Sequence, residues 1–323
     1  MDLNHKNQHI LVAGDHPTAF SLCVCLLQAG HLVTLLCTSK ADALKKINLH
    51  ISDSNKNEGR LITTGNLNIT SIIGNAVAFD IAIAITAENI VVKEALIREL
   101  ESKLPDDTLI AINTESFTLS ALQQHAQHPE RLIGANWTEP AHTTFFLEII
   151  TNSFTDIKLA HQFYQTAKLC WQKDPYILKR NRGIRSKMMM ALMREAFYLI
   201  ENEYVTIEDI DRACRNDAGY YLPFAGNFRY MDLMGTYMYG IVMQDLNPEL
   251  SKDTHIPQFC LDIVYQAEKG MKTGKGFYDY TPEEAAGWEA AFRKFSYQIR
   301  EIISKYPFNH QPKTKAVIPV VLP

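Results

Sequence analysis

The sequence predicts an α/β fold, in which a doubly wound parallel sheet is followed by an all-α domain. In the first half of the chain, short apolar runs such as "HILVAG" and "FDIAIAIT" alternate with stretches whose apolar residues recur at helical spacing. In the second half, long helical patterns follow one another. Ligands of such a sheet bind at the carboxyl ends of its strands, so we expect the functional residues there.

The first half opens as strand, helix and strand. "HILVAG" is predicted to be a buried strand, "TAFSLCVCLLQAG" an apolar helix that ends at Gly30, and "HLVTLL" the second strand. Further on, "FDIAIAIT" and "DTLIAINT" are two more strands, and the helix "ENIVVKEALIREL" separates them. This alternation is typical of a parallel sheet with crossover helices.

The second half is predicted to be helical from about residue 180. Thr281 and Glu284 form a capping-box pattern around Pro282, which marks the start of a long helix. The polar stretch "DPYILKRNRG" separates the alternating strand and helix patterns of the first half from the helical patterns of the second. We therefore expect domains at residues 1–180 and 181–305 and an extended tail at 306–323. The helical patterns are "SKMMMALMREAFYLIENEY", "TIEDIDRAC", "FRYMDLMGTYMYGIVM", "IPQFCLDIVYQAEKG" and "TPEEAAGWEAAFRKFSYQIREIISK".

Composition restricts the class of protein. A chain of 323 residues with 46% hydrophobic residues is long enough for two cores. The net charge of -4, with no long basic block, argues against a nucleic-acid partner. No apolar run approaches the ~20 residues of a membrane span, and the start lacks a secretion signal, so we expect no membrane partner and a cytoplasmic protein. The six cysteines are too sparse for a disulfide framework, and we expect no metal site.

The loop after the first strand reads "GDHPTA", where a Rossmann-like dinucleotide fold carries G-x-G-x-x-G. Gly14 is present, His16 replaces the second glycine, and Ala19 replaces the third. His16 places a ring where the pyrophosphate usually passes, and Pro17 has no N–H to offer it. Gly14, His16 and Ala19 are nevertheless the candidate cofactor-binding residues of this loop.

The end of the second strand reads Cys37-Thr38-Ser39-Lys40, at the position of a ribose-binding acid. Loss of the acid removes selection for NAD. One interpretation is that the hydroxyl groups and Lys40 receive a 2′-phosphate, which would favour NADP. The other is a degenerate nucleotide site that binds weakly or not at all.

Five segments form the most specific pattern in the chain, and together they resemble the 3-hydroxyacyl-CoA dehydrogenase family from about residue 8 to 300. This resemblance implies a Rossmann-like domain that binds NAD or NADP and a helical carboxy-terminal domain that forms a homodimer. It also implies oxidation of a 3-hydroxyl group on an acyl-CoA or a related hydroxy acid, with hydride passing to a nicotinamide. The segments are "AENIVVKEAL", "INTESF", "GANWTEPAHTTFFLEII", "VTIEDIDRACRNDAGYYLPFAGNFRYMDLMG" and "KTGKGFYDY".

Several residues carry over from the family's motifs. Glu88 and Lys93 correspond to an acid and a lysine near the cofactor and substrate. The family's N-T-S-S reads Asn113-Thr114-Glu115-Ser116, so that Glu115 replaces a serine at the substrate and Ser116 is a candidate catalytic group. Ser116 has the alternative interpretation of a helix cap.

The family's H-x-x-N-P reads Asn136-Trp137-Thr138-Glu139-Pro140, so Asn136 replaces the general base and Glu139 lies near the cofactor. The acid that orients the base is kept as Glu148. The helix opening the second domain has Ser186 at a substrate position, and Lys272 of "KTGKGF" is kept near the cofactor.

Oxidising an alcohol requires a proton acceptor with a pKa near the working pH, and an asparagine cannot take up that proton. Loss of general acid–base help typically costs ~10²–10⁴-fold in rate. A replacement of the base by His142 would need a rearranged turn. Two hypotheses therefore remain: an NAD(P)-dependent oxidoreductase with an altered acid/base centre, or a catalytically inactive relative that binds an acyl-CoA, a nucleotide or a protein partner.

Overall fold

The protein is described by a computed structural model that covers residues 7–59, 61–74 and 77–307. The chain forms two compact units. Of the described residues, the first unit extends to Met193 and includes Gly287–Tyr297, and the second comprises Arg194–Ala286 and residues 298–307. The predicted domain limits at residues 180 and 305 stay predictions. Most of the tail expected at 306–323 lies outside the described residues.

The first unit is built on an eight-stranded sheet in the order β3-β2-β1-β4-β5-β6-β7-β8. Strands β1 to β6 run parallel, whereas β7 pairs antiparallel with β6 and parallel with β8. The strand order reverses between β1 and β4, and such a reversal creates a crevice at the carboxyl ends of the two strands. The strands are β1 (His9–Ala13), β2 (Leu32–Leu36), β3 (Leu67–Thr70), β4 (Ile81–Ala84), β5 (Leu109–Ile112), β6 (Leu132–Trp137), β7 (Leu147–Ile150) and β8 (Tyr176–Leu178).

Helices cover both faces of this sheet, which confirms the predicted α/β class. Strands β4 and β5 are buried along their whole length, as expected for strands whose two faces are both covered. Side chains of α1, α2 and α5 pack in one apolar cluster, and those of α3 and α4 in another. The helices are α1 (Pro17–Gln28), α2 (Lys40–Glu58), α3 (Ile90–Lys103), α4 (Leu119–Gln123) and α5 (Ile157–Cys170), and a 3₁₀ turn covers Pro129–Arg131.

The later part of the chain is helical, as predicted. The long helix near the end begins at the predicted capping box: the Thr281 hydroxyl accepts from the Glu284 N–H, and the Glu284 carboxylate accepts from the Thr281 N–H. The apolar run "FRYMDLMGTYMYGIVM" is divided between two helices, because Gly235 has a φ of 109° and ends the first one. These helices are α6 (Arg185–Glu201), α7 (Ile207–Asn216), α8 (Ala218–Met234), α9 (Thr236–Leu246), α10 (Gln258–Tyr265) and α11 (Pro282–Lys305). Within the described ranges, none of the helices could cross a membrane.

Candidate functional site

Seven residues predicted from the sequence lie in one hydrogen-bonded network in the first unit. They come from different places along the chain: the start of α3, the loop after β5, the strands β6 and β7, and the start of α6. The parallel strands bring the chain segments that follow β4 and β5 to the same edge of the sheet. The seven residues are Glu88, Lys93, Glu115, Ser116, Asn136, Glu148 and Ser186.

Asn136 joins the end of β5 to β7. It lies opposite Glu148 in the antiparallel pair, and its Nδ2 donates to Glu148 Oε2 at 3.1 Å. Its Oδ1 accepts from the Thr114 N–H at 2.8 Å, and Nδ2 also donates to the Thr114 carbonyl at 3.1 Å. An amide can serve a backbone N–H and the carbonyl of the same residue together, which the two opposed ring nitrogens of an imidazole cannot do. The asparagine is therefore suited to a structural link that a histidine could not make.

Glu148 is fully buried and accepts hydrogen bonds from several donors besides Asn136. The Tyr176 hydroxyl donates to Oε1 at 3.1 Å, and the N–H groups of Ile184 and Arg185 donate at 2.8 and 3.3 Å. These two N–H groups belong to the start of α6, where a negative charge is favourable. Burial and the adjacent Glu148 raise the pKa of Tyr176. The carboxylate oxygens thus have hydrogen-bond donors without an imidazole.

Gly183 permits this close approach. A Cβ on Gly183 would lie 2.8 Å from the carboxyl carbon of Glu148 and 3.2 Å from Asn136 Nδ2, and it would overlap Glu148 Oε2. Any larger residue would push the start of α6 away from the carboxylate. The glycine falls in "DPYILKRNRG", which the sequence marked only as a boundary between domains.

The buried Lys93 and the exposed Glu88 form an ion pair at the ends of β4 and β5. Lys93 Nζ lies 3.0 Å from Glu88 Oε1 and donates to the carbonyl and side-chain oxygens of Asn113 at 2.7 and 3.0 Å. Burial lowers the pKa of Lys93, against the opposing effect of Glu88. For Glu88 burial acts to raise the pKa, but hydrogen bonds and charge from Lys93 and the hydrogen bonds from Ser116 outweigh it, so the pKa is lowered.

Ser116 is exposed and hydrogen-bonds to the Glu88 carboxylate of this ion pair. Its hydroxyl donates to Glu88 Oε2 at 2.8 Å, and its N–H donates to the same oxygen at 3.2 Å. Ser116 precedes α4, but the cap of that helix is Thr118, whose side chain accepts from the Ala121 N–H. The helix-cap interpretation is therefore wrong for Ser116, because the chain has two further residues before the helix begins.

Glu115 is balanced by positive charge. Arg185 Nη1 lies 2.6 Å from Glu115 Oε1, and the Ser186 hydroxyl donates to Glu115 Oε2. Arg182 donates to the Ser116 carbonyl, and the Arg185 guanidinium lies 5.8 Å from the centre of the Phe146 ring. The two arginines were missed by sequence reasoning. The signal was present in the basic stretch "KRNRGIR", which ends on the first residue of the helix that carries Ser186.

The nucleotide loop keeps the glycine at its first position for a geometric reason. Gly14 has a φ of 137°, and a Cβ there would overlap the Ile85 carbonyl oxygen at the end of β4. His16 caps α1, since its Nδ1 accepts from the Thr18 N–H at 3.3 Å. Ala19 is fully buried in the core. The loop thus retains the close approach of β1 and β4, and the imidazole uses one N–H at the start of α1.

At the end of β2 the Cys37 thiol is buried in the core, where burial raises its pKa. Thr38 is exposed, and its N–H and hydroxyl both donate to Asp15 Oδ1, at 2.9 and 3.1 Å. Asp15 belongs to the loop after β1 and was not singled out from the sequence. A carboxylate is therefore present at the end of β2, although β2 does not supply it.

Glu139 and His142 lie in a polar cluster beside α1 and α2. Glu139 Oε2 accepts from the Ser21 hydroxyl at 2.5 Å, and burial raises the pKa of this carboxyl against the effect of that hydrogen bond. His142 Nε2 lies 3.1 Å from the Tyr297 hydroxyl of α11. Burial lowers the pKa of the neighbouring His50 to about 4.

Lys272 belongs to the second unit, beside the isolated bridge between Gly270 and Lys275. Its expected contact with a cofactor stays a prediction. Among the residues that the structure describes, no group of three or more His, Cys, Asp or Glu side chains is arranged to hold a metal ion.

The first unit fits a dinucleotide at three points. The strand order reverses between β1 and β4, Gly14 permits the tight turn there, and Asp15 places a carboxylate at the end of β2. His16 is a departure from this fit, because its ring covers an N–H that would otherwise face phosphate. These residues would hold a dinucleotide along the crevice, with the Glu88 network at the reacting end.

Comparison with known proteins agrees with this geometry. Residues 21–180 match the NAD binding domain of 3-hydroxyacyl-CoA dehydrogenase, and residues 184–280 match its carboxy-terminal domain. The first match begins inside α1, after the loop that contains Gly14 and His16. Together the two matches cover most of the chain.

Individual relatives carry different activities. The 5-formyl-3-hydroxy-2-methylpyridine 4-carboxylate 5-dehydrogenase of Mesorhizobium japonicum is 28% identical over 245 residues, which are 74% of this chain and 78% of that protein. The 3-hydroxyadipyl-CoA dehydrogenase of Escherichia coli is 27% identical over 68% of this chain, but the match spans only 46% of that protein. The mitochondrial human hydroxyacyl-coenzyme A dehydrogenase is 26% identical over 62% of this chain and 64% of its own length.

Solved structures support the fold. A crystal structure of the 5-formyl-3-hydroxy-2-methylpyridine 4-carboxylic acid 5-dehydrogenase, an NAD+ dependent dismutase, superposes with a TM-score of 0.85 at 24% identity. It covers 93% of this chain and 100% of the other. The chain therefore belongs to the 3-hydroxyacyl-CoA dehydrogenase family of NAD-dependent oxidoreductases, and NAD(P) is the cofactor of its amino-terminal domain.

Proposed function

We propose that the protein is an NAD(P)-dependent oxidoreductase that interconverts a hydroxyl and a carbonyl group on a hydroxy acid or its CoA thioester. The observation that supports this most strongly is the exposed Ser116 hydroxyl, which donates to a Glu88 carboxylate held in its charged form by Lys93. Membership of the dehydrogenase family also supports this reaction class. In such a reaction the nicotinamide, when bound, takes up the hydride from the hydroxyl carbon.

The protein's own residues must then accept or supply the proton on the substrate oxygen. Because the Ser116 hydroxyl donates to Glu88, its oxygen is placed to accept a hydrogen bond from a substrate alcohol and to pass that proton toward Glu88. Because the pKa of Glu88 is lowered, this carboxylate is a weaker base than a histidine near neutral pH. We therefore propose that the acid/base centre is altered: Ser116 and Glu88 contact the proton, and Asn136 and Glu148 position the chain around them.

The substrate is proposed to be an anion. Arg182 and Arg185 contact the network at Ser116 and Glu115, and guanidinium groups suit a carboxylate. The M. japonicum relative acts on a pyridine carboxylate rather than a thioester, as its name states. A free hydroxy acid or an aromatic carboxylate therefore belongs in the substrate panel beside acyl-CoA compounds.

A second candidate function is binding without turnover. Asn136 is fully buried and its amide is engaged by Thr114 and Glu148, so position 136 has neither a base nor a group that reaches a substrate in this arrangement. His16 also covers one N–H of the nucleotide loop. A catalytically inactive family member that binds an acyl-CoA, a nucleotide or a protein partner would show these same features.

Kinetics of the Ser116→Ala variant test the proposed centre. Purified protein is mixed with NADH or NADPH and with acetoacetyl-CoA or a panel of keto and formyl carboxylic acids, and loss of nicotinamide absorbance is followed. We expect turnover with at least one substrate, and a fall of kcat/KM by about 10²-fold in Ser116→Ala, because the proton contact is lost. Ser102→Ala removes a hydroxyl at the exposed end of α3 and is expected to leave the rate unchanged.

Calorimetry with NAD, NADP and CoA separates the two candidates. Binding of a dinucleotide with no turnover of any substrate would favour the inactive relative. Turnover that is equal in Ser116→Ala and wild type would contradict the role of Ser116 while leaving the reaction class intact.

We also propose a cytoplasmic homodimer that forms through the second unit. Helices α8 and α9 expose large apolar side chains, which monomeric proteins rarely gather in quantity. Light scattering of the purified protein should give the mass of two chains, whereas a single-chain mass at micromolar concentration would contradict the proposal. The side chains include Tyr220, Phe228, Leu233, Met234, Tyr237 and Met238.

A further inference from the structure

The end of β2 has no acid of its own, yet a carboxylate is fixed there. Cys37 is buried and Thr38 is the first exposed side chain after the strand. The N–H and the hydroxyl of Thr38 both donate to Oδ1 of Asp15, at 2.9 and 3.1 Å. Asp15 is exposed, and among the described residues its Oδ2 has no hydrogen-bond partner. Two hydrogen bonds thus orient one oxygen and leave the other directed to solvent.

In a dinucleotide fold, an acid at the end of the second strand hydrogen-bonds the adenosine ribose 2′-hydroxyl. Asp15 is the residue between Gly14 and His16 in the loop after β1, so it reaches this position from the neighbouring strand. We infer that Asp15 replaces the ribose-binding acid and makes the site select NAD over NADP. The inference rests on the proposed function, because it requires that a dinucleotide binds at this crevice.

The same contacts argue against selection of NADP. A 2′-phosphate would bring up to two negative charges toward the Asp15 carboxylate, and like charges at hydrogen-bonding distance repel strongly. The Thr38 N–H and hydroxyl already donate to Asp15 and so are not available to a phosphate. Lys40, exposed in the first turn of α2, is the remaining cation of the Cys37–Lys40 segment. One lysine opposes one carboxylate, so the segment offers no net positive charge to a phosphate.

Binding measurements on the full chain test this inference without any need for turnover. Dissociation constants for NAD and NADP are measured by calorimetry for wild type, Asp15→Asn and Asp15→Ser. We expect wild type to bind NAD more tightly, and the preference to fall by about 10–100-fold in both variants, since a charge-assisted hydrogen bond and a repulsion are lost together. Melting temperatures of the variants confirm that they are folded.

Asp107→Asn is the matched control. Asp107 is an exposed aspartate just before β5, at the amino end of the strands. Its replacement removes the same negative charge at a place far from the crevice. It should keep the wild-type ratio of the two dissociation constants. Lys40→Ala should affect NAD binding little.

Three results would overturn the inference. Wild type could bind NADP as tightly as NAD, with Lys40→Ala removing that affinity, in which case the hydroxyl and lysine groups receive a 2′-phosphate. Asp15→Asn could leave the ratio unchanged, which would contradict the role of Asp15 but not the proposed function. Failure of wild type to bind either dinucleotide would defeat both together.

Discussion

Replacement of Glu148 by alanine is expected to lower the free energy of unfolding by about 3–5 kcal/mol. Its carboxylate accepts from the Asn136 amide, the Tyr176 hydroxyl and two N–H groups that begin α6. The Asn136 donor would lose this acceptor in a buried place, and the other three donors would lose it in a partly buried one. The start of α6 would also lose the negative charge at its positive end. Urea or thermal denaturation, followed by the fluorescence of the buried Trp137 and Trp171, measures the loss.

Two related variants make this result specific. Glu148→Gln keeps one acceptor oxygen but turns N–H groups toward donors, so the expected loss is smaller, about 1–3 kcal/mol. Gly183→Ala should disturb the same contacts, because its Cβ would overlap the carboxylate. Gly287→Ala is the control: no atom lies within 4 Å of its Cβ, and in α11 the change should be neutral or slightly stabilising. A loss of less than about 1 kcal/mol in Glu148→Ala would show that the carboxylate does not hold α6 in place.

The second large effect is expected at Gly14. Gly14→Ala should abolish dinucleotide binding as measured by calorimetry and should destabilise the first unit by about 3 kcal/mol or more, because a clash with backbone adds to the strain of a positive φ. A Cβ at this position would lie 2.9 Å from the Ile85 carbonyl carbon and would overlap its oxygen. The clash can be relieved only by moving β1 away from β4, which would deform the crevice between them.

The Gly30→Ala variant separates the effect of backbone strain at a positive φ from the effect of a Cβ clash with a neighbouring strand. Gly30 has a φ of 85°, but no atom lies within 4 Å of its Cβ position. This variant should lose only about 1 kcal/mol from the left-handed conformation and should bind a dinucleotide as wild type does. Equal binding by wild type and Gly14→Ala would mean that the dinucleotide does not use this crevice.

Much of the architecture could be predicted because local patterns and global fold agree. The apolar runs that became β1, β2, β4 and β5 lie within the predicted stretches, and the capping box at Thr281 starts α11 as expected. The break at Gly235 was missed, since apolar periodicity continues through it and only the φ of the glycine ends the helix. Pairing of β7 with β6 in the antiparallel sense was also beyond a reading of periodicity.

For the site, the sequence could name the residue types but not their partners. Its resemblance to the family implied that Asn136 replaces a histidine and that Glu148 is the acid that orients it. It could not show that the amide serves both backbone groups of Thr114, or that the acid accepts from the start of α6. Those partners lie 22 and 36 positions away along the chain, and no local pattern encodes such distances.

The order of residues by itself determined the α/β class and the absence of an acid on β2. Those features depend on side-chain chemistry and on spacing within single elements. Only the tertiary structure decided that Asp15 fills the place at the end of β2, that Arg185 offsets Glu115, and that Ser116 stands on Glu88. The physical reason is that hydrogen bonds and charge pairing act over about 3 Å in space, so chain segments remote in sequence become partners only when the sheet brings its strand ends together.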